Sequence, residues 1–381
     1  MIYADNAATT PVSDSVLQAM LPYFSKEFGN PSSLYASGRR AKRALESARE
    51  TVADCLDARP DEIFFTSGGS ESDNWAIKMS AKKGKETGKT HLITSEFEHH
   101  AVLHSLRSLE SGGFTVSALS VHEDGIIRPE ELKAALRPET ALVTVMTANN
   151  EIGTIQPISE IGALCRGAGI PLHTDAVQAA GILPLDVKAM NVDFLSLSAH
   201  KFHGPKGVGA LYIRKGAGIS GLMDGGAQER GLRAGTENVA GIVGLAVALK
   251  EACENRKACA DRLTAMRDRL IQGALKIPGT RLNGDPVKRL PGNVNLSFEQ
   301  VEGEALLLLL DQNGICASAG SACTAGSLEP SHVLRAIGLS EPLAHGSLRL
   351  TLSCQNTEAE VDEILRILPD VIMRVRSLSS Q

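Results

Sequence analysis

Residues 193–214 read Asp193-Phe-Leu-Ser-Leu-Ser-Ala-His200-Lys201-Phe-His203-Gly-Pro-Lys206-Gly-Val-Gly-Ala-Leu-Tyr-Ile-Arg214. One apolar run ends in Ser198-Ala199-His200-Lys201. A Gly/Pro turn follows, and a second apolar run covers Val208 to Ile213. The pattern reads as strand, polar corner, strand. A lysine at the end of a buried strand is an unusual choice for a core, since lysine is almost never fully buried unless paired. Burial also favours its neutral amine, which is a nucleophile. The ordinary alternative is a surface lysine whose stem lies along the strand end with its ammonium in water. The stretch alone supports both, and residues elsewhere in the chain must decide.

Upstream of this corner, strand and helix patterns alternate with short connections. Expected strands are 62–66, 91–95, 114–121, 141–147 and 170–174. Expected helices are 12–24 (with Ser13 as cap), 39–56, 70–82, 101–110, 129–136 and 158–167. This alternation predicts a mainly parallel α/β sheet covered on both faces. After Gly235 the character changes. One or two long helices over 239–277 lead into short segments at 281–285, 293–298, 315–318 and 347–353, separated by a helix at 302–312 and closed by one at 357–378. That is the pattern of a smaller α+β domain. The boundary is placed near residue 255, giving a large domain of 13–255 and a small domain of 256–381 joined by residues 1–12.

The chain has 381 residues, a net charge of −5 with mixed signs, 4% aromatic residues and one tryptophan. No basic run points to nucleic acid or anionic lipid, and no base-stacking platform is evident. No apolar run is long enough to span a bilayer, and no signal-peptide pattern opens the sequence. Seven cysteines without regular spacing argue for reduced thiols in a cytoplasmic compartment and against a disulfide framework. Cys55, Cys165, Cys253, Cys259, Cys316 and Cys354 read as structural.

Ligands of a parallel α/β sheet sit at the carboxyl ends of its strands, and here those ends are polar. Ser67-Gly68-Gly69-Ser70-Glu71-Ser72 opens a helix and suits an anion, because small residues let backbone N–H groups approach it. Glu98-His99-His100, Asn149-Asn150-Glu151, Asp175-Ala-Val-Gln178 and Ser198-Ala-His200-Lys201 follow other strands. Taken singly, each reads equally well as a helix cap. Together they supply a phosphate cradle, an imidazole, an amide, a carboxylate and an amine. That set suits pyridoxal 5'-phosphate, which needs a lysine for its aldehyde and a carboxylate for its ring nitrogen. Cys323 lies in Ala319-Gly-Ser-Ala-Cys-Thr-Ala-Gly326, an octet without a bulky residue. Such a loop suits a thiol that must visit two places.

With these residues in view, the sequence resembles the NifS/IscS cysteine desulfurases of the class V aminotransferase fold. The likeness runs from Tyr3-Ala-Asp-Asn-Ala-Ala-Thr-Thr10 to about residue 375. It includes Phe28-Gly-Asn-Pro-Ser-Ser33, Thr66-Ser-Gly-Gly-Ser-Glu-Ser-Asp73, Asn149-Asn-Glu-Ile-Gly153, the Ala199–Gly207 stretch, Arg233-Ala-Gly-Thr-Glu-Asn238 and Gly320–His332. The resemblance implies a fold type I aminotransferase-like large domain. It implies that Lys201 carries the cofactor and later moves the Cα proton, while His99 stacks on the ring and serves as acid/base. Asp175 pairs with the ring nitrogen, and Gln178 and Asn150 lie near the phenolic oxygen and the substrate. Gly69, Ser70, Ser198 and His200 hold the phosphate, with Thr236 reaching that of a second subunit in a homodimer. Arg349 grips the substrate carboxylate. Cys323 takes sulfur from L-cysteine as a persulfide, leaving L-alanine, and passes it to an iron–sulfur scaffold of the NifU/IscU type. No intrinsic metal site is implied, beyond a transient iron–sulfur cluster that Cys323 could share with the scaffold. A selenocysteine lyase, another class V enzyme, or a non-enzymatic sulfur-carrier module remain as alternatives. His200 and His203 are too weakly spaced for a metal.

Overall fold

The computed structural model describes residues 1–319 and 330–379. Strand β1 (Ile2–Tyr3) opens the chain. Then β2 (Ile63–Thr66), β3 (His91–Ser95), β4 (Thr115–Leu119), β5 (Thr140–Thr144), β6 (Leu172–Asp175), β7 (Phe194–Ser198) and β8 (Gly209–Ile213) build a seven-stranded sheet in the order β2-β8-β7-β6-β5-β3-β4. All neighbours pair in parallel except around β8, which runs antiparallel to both β2 and β7. The quoted stretch is therefore an antiparallel pair set into an otherwise parallel sheet, and Lys201 stands at its corner.

The sheet is apolar on both faces because successive side chains point to opposite sides. Phe65, Ile93, Val143 and Leu195 join one core cluster. Their neighbours Phe64, Leu92, Leu142 and Phe194 join another. The first cluster is covered by α1 (Asp14–Met20), which is capped by Ser13 and followed by α2 (Pro22–Ser25), and by α3 (Ala36–Leu56). The second is covered by α4 (Gly69–Glu86), through Trp75 and Ile77, and by α5 (His100–Glu110), through Val102 and Leu106. Helices α6 (Pro129–Ala135) and α7 (Ile158–Ala168) return to the first face through Leu132, Ile161 and Cys165.

Helix α8 (Val239–Ala274) is one continuous helix of 36 residues. Its early apolar residues, Ile242, Leu245 and Leu249, join the first cluster. Its late ones, Leu263, Met266 and Leu270, enter a third cluster. That cluster also takes residues of β9 (Thr280–Leu282), β10 (Asn293–Phe298), α9 (Gly303–Gln312), β11 (Ile315–Cys316), β12 (Ser347–Thr351) and α12 (Glu358–Ser379). Two short helices that the sequence patterning missed, α10 (His332–Ala336) and α11 (Glu341–His345), precede β12. Strands β12, β10 and β9 form an antiparallel sheet, and β1 pairs in parallel with β11.

The expectation of reduced thiols is corrected for one pair. Cys259 on α8 and Cys354 after β12 form a disulfide with a Cα–Cα distance of 5.7 Å, inside the range a disulfide spans. They are 95 residues apart in sequence, so spacing could not reveal the contact. No helix among the described residues is long and apolar enough to cross a membrane.

Candidate active site

The corner after β7 is a single 3₁₀ turn, Ala199–Lys201. It is held by the N-terminal segment, since the His200 carbonyl accepts from Thr10 N (2.9 Å) and from Thr10 Oγ1 (3.0 Å). Gly207, at φ +77°, lets the chain reverse into β8. Lys201 does not reach for water. Its Nζ donates to the carbonyls of Ala7 (2.6 Å) and Ala8 (2.8 Å). The snorkelling alternative is thereby removed. His203 is satisfied by the Pro11 carbonyl at 3.1 Å.

Asp175 ends β6, buried, and its Oδ1 accepts from Val177 N (2.9 Å). Burial pushes its carboxyl up to about 6, against the opposing pull of the Val177 N–H and the Lys201 charge. His99 caps α5, its Nδ1 accepting from Ala101 N (3.1 Å). That bond leaves Nε2 to carry the proton. Burial, then the Lys201 charge and the neighbouring histidines, drive His99 down to about 4, so the ring is neutral at pH 7. His99 is thus a cap and a cavity residue at once.

The cradle expected at 67–72 is the first turn of α4. A Cβ built on Gly69 would stand 2.7 Å from Val177 Cγ2 and 3.6 Å from Ser198 Cβ. Only glycine brings this helix start so close to the Asp175 and Lys201 loops. Ser70, Ser198 and His200 line the same cavity. His200 Nδ1 contacts Thr9 Oγ1 at 3.1 Å, and burial lowers its pKa to about 4.

Opposite stands Arg349, on β12 and 1% exposed. Its Nη2 pairs with Asp5 Oδ1 (2.8 Å) and its Nη1 donates to the Asn150 carbonyl (3.1 Å), while its Nε has no partner. A buried guanidinium N–H without an acceptor is costly, and this one belongs to a cavity residue. Gln178 Nε2 donates to the Ala7 carbonyl (3.0 Å). The cavity holds about 220 Å³ and is lined by the expected residues from all these strand ends. Thr236 is exposed and does not line it. Cys323 lies outside the described residues.

Sequence reasoning missed Asp73, which also lines the cavity. It is 1% exposed, and its Oδ1 has no hydrogen bond. It sits in the second turn of α4, where its polarity resembles that of its neighbours. The available signal was an acid three and four residues before Ala76 and Ile77, on the side of the helix that they share. Glu98 is likewise fully buried, bound by Ser95 Oγ and by Met146 N (2.9 Å), and burial pushes it up to about 8.

The profile of aminotransferase class V matches residues 2–364. A Methanosarcina thermophila protein named cysteine desulfurase IscS is 55% identical over 378 residues, covering 99% of this chain and 93% of its own length. The chain belongs to the NifS/IscS cysteine desulfurase family of class V aminotransferases. A Clostridium botulinum cysteine desulfurase IscS is also 55% identical, over 99% of this chain and 96% of that protein. Among solved structures, a NifS-like protein superposes with a TM-score of 0.92 at 40% identity, covering 98% and 99% of the two chains. One described as SspA in complex with cysteine gives 0.83 at 41% identity, covering 93% and 99%. The mainly parallel sheet is the fold expected for this family.

Proposed function

We propose that the chain is a pyridoxal-phosphate-dependent cysteine desulfurase that releases L-alanine and passes sulfur on through Cys323. The observation that carries this reading is one cavity joining the Lys201 amine, the buried Asp175 carboxylate, the neutral His99 ring and the unpaired Arg349 Nε–H. When bound, pyridoxal phosphate supplies an electron sink for the pair left at the substrate Cα. Asp175 would face its ring nitrogen and His99 its ring face. The opening N–H groups of α4, with Ser70, Ser198 and His200, would hold its phosphate. Arg349 binds the cysteine carboxylate, for which Asp5 and the Asn150 carbonyl hold the guanidinium fixed. Lys201 takes the Cα proton. Cys323, as thiolate, attacks the substrate sulfur, whose bond to Cβ breaks; the electron pair stays with the carbon, which takes a proton to give L-alanine, and Cys323 keeps the sulfur as a persulfide.

Part of the reading concerns other chains. Phe24, Phe28, Leu34 and Tyr35 are 62–89% exposed. So much exposed apolar surface on one N-terminal stretch supports a homodimer, in which Thr236 serves the second subunit's phosphate site. The sulfur acceptor is proposed as a NifU/IscU-type scaffold, and the setting as cytoplasmic. The division into 13–255 and 1–12 with 256–381 is likewise a proposal, supported by Ala4 packing in one cluster with residues from 263 onward.

The test is the visible spectrum of the purified protein, followed by alanine and sulfide release on adding cysteine and a reductant. Lys201→Ala should lose the cofactor band. Cys323→Ser should keep the band and lose alanine formation by about 10³-fold or more. A colourless wild-type protein, or undiminished turnover in Cys323→Ser, overturns the reading.

A further inference from the structure

Asp73 and Asp175 are both fully buried, and together with a His99 ring nitrogen their oxygens lie within 4.8 Å of one another. They come from different elements, Asp73 from α4 and Asp175 from β6. Two carboxylates this close and this buried disfavour being ionised together. The cation that acts on the pair is the Lys201 ammonium, and it acts on Asp175 rather than on Asp73. His173, from β6, stands 3.5 Å from Asp73 Oδ1. Its Nδ1 contacts Thr144 Oγ1 (2.8 Å), its Nε2 contacts Ser196 Oγ (3.0 Å), and burial alone lowers it to about 3. It is neutral at any ordinary pH. Ser196, from β7, contributes a hydroxyl. Glu98 adds another acid.

We propose that Asp73 is a positioning residue that carries the proton of this pair and donates it to Asp175, fixing the Asp175 carboxylate for the cofactor's ring nitrogen. The inference rests on the pyridoxal-phosphate reading given above. Asp175 Oδ1 already receives Val177 N–H. A carboxylate accepts about four bonds, which leaves room for both Asp73 and a ring N–H. The hydroxyl of a protonated Asp73 also answers the unpartnered Oδ1, which has no other use in the site. Burial, then the Asp175 charge, push Asp73 well above the usual carboxylate range, in agreement with the assignment. The neutral acid sets the direction of Asp175 without cancelling its charge. That charge therefore remains available to stabilise a protonated ring.

Two variants separate this role from packing. Asp73→Asn keeps the shape and an N–H donor but cannot ionise. Asp73→Leu keeps the bulk and removes the donor. Infrared spectra of the cofactor-free protein at pH 7 should show neutral buried carboxyl bands. Asp73→Asn should delete one, and Glu98→Gln should delete another. Pyridoxal phosphate titrated into the same proteins should bind Asp73→Asn within a few-fold of wild type. Binding to Asp73→Leu should be weaker by about ten- to a hundredfold, as expected for losing a hydrogen bond to a charged group. Thermal melts identify a variant that has not folded, and the Asn variant still decides in that case. An unchanged carboxyl spectrum in Asp73→Asn, binding by Asn as weak as by Leu, or binding by Leu as tight as wild type each overturns the proposal. A wild-type protein that binds no pyridoxal phosphate would instead sink the functional reading, while the infrared result still reports on the shared proton.

Discussion

Arg349, which lines the cavity, and Asp5, 344 residues away in sequence, form a 2.8 Å ion pair. The pair exists because Asp5 bridges in parallel to Thr351, just beyond Arg349, and because β1 lies beside β11. Nη2 on Asp5 and Nη1 on the Asn150 carbonyl hold the guanidinium, and its Nε–H faces no acceptor among the described residues.

A lysine cannot reproduce this fork. Arg349→Lys should raise KM for cysteine by about ten- to a hundredfold. The cofactor absorption band should stay unchanged. Steady-state kinetics beside the visible spectrum check this, and an unaltered KM would show that the substrate carboxylate is held elsewhere.

Glu98 gives the pH dependence of stability a definite sign. Burial raises its pKa in the fold from the ordinary 4.5 to about 8. Between these values the native state keeps a proton that the unfolded chain has lost. The stabilisation is complete below about pH 4.5 and fades as pH climbs towards 8. Glu98→Gln cannot ionise and should remove that slope. Relative to wild type, the variant should gain on the order of 2–4 kcal/mol between pH 5 and pH 8. Thermal melts across this range measure it, and parallel curves for the two proteins would contradict it.

The Cys259–Cys354 bond closes a long loop and ties α8 to the segment after β12. Closing a loop of this length is worth about 3–5 kcal/mol. Reductant should lower the unfolding midpoint of wild type to that of Cys259→Ser and leave the variant unmoved. A wild-type midpoint indifferent to reductant would show the two thiols free in solution.

The exposed apolar stretch makes a prediction about assembly. Phe28 is 74% exposed and Leu34 89% exposed. Replacing both with Asp should convert a dimer to monomer in sedimentation. If Thr236 serves the neighbouring site, cofactor affinity should fall with it. A monomeric wild type would end the argument for a shared site.

The sequence by itself determined the alternation of strands and helices, because period-2 and period-3.6 apolar patterns are local. It also exposed the candidate residues at 69–70, 99, 150, 175, 178 and 198–201, because polar groups at the ends of apolar runs are conspicuous, whereas Arg349, inside a strand pattern, came only from the family resemblance. Helix boundaries slipped by a few residues, as at α4, whose C-terminal turns extend to Glu86 on a weak pattern. Only the tertiary structure decided what those residues do to one another. Lys201 could equally have lain in water until the Ala7 and Ala8 carbonyls were seen to hold it. Asp73 looked like any helix acid until folding set it against Asp175. Cys259 and Cys354 showed no spacing signal because their meeting depends on how α8 crosses to the small sheet. Local pattern follows from each residue's own chemistry. Protonation, pairing and unpaired donors follow from burial beside particular partners, and that is a property of the packed chain.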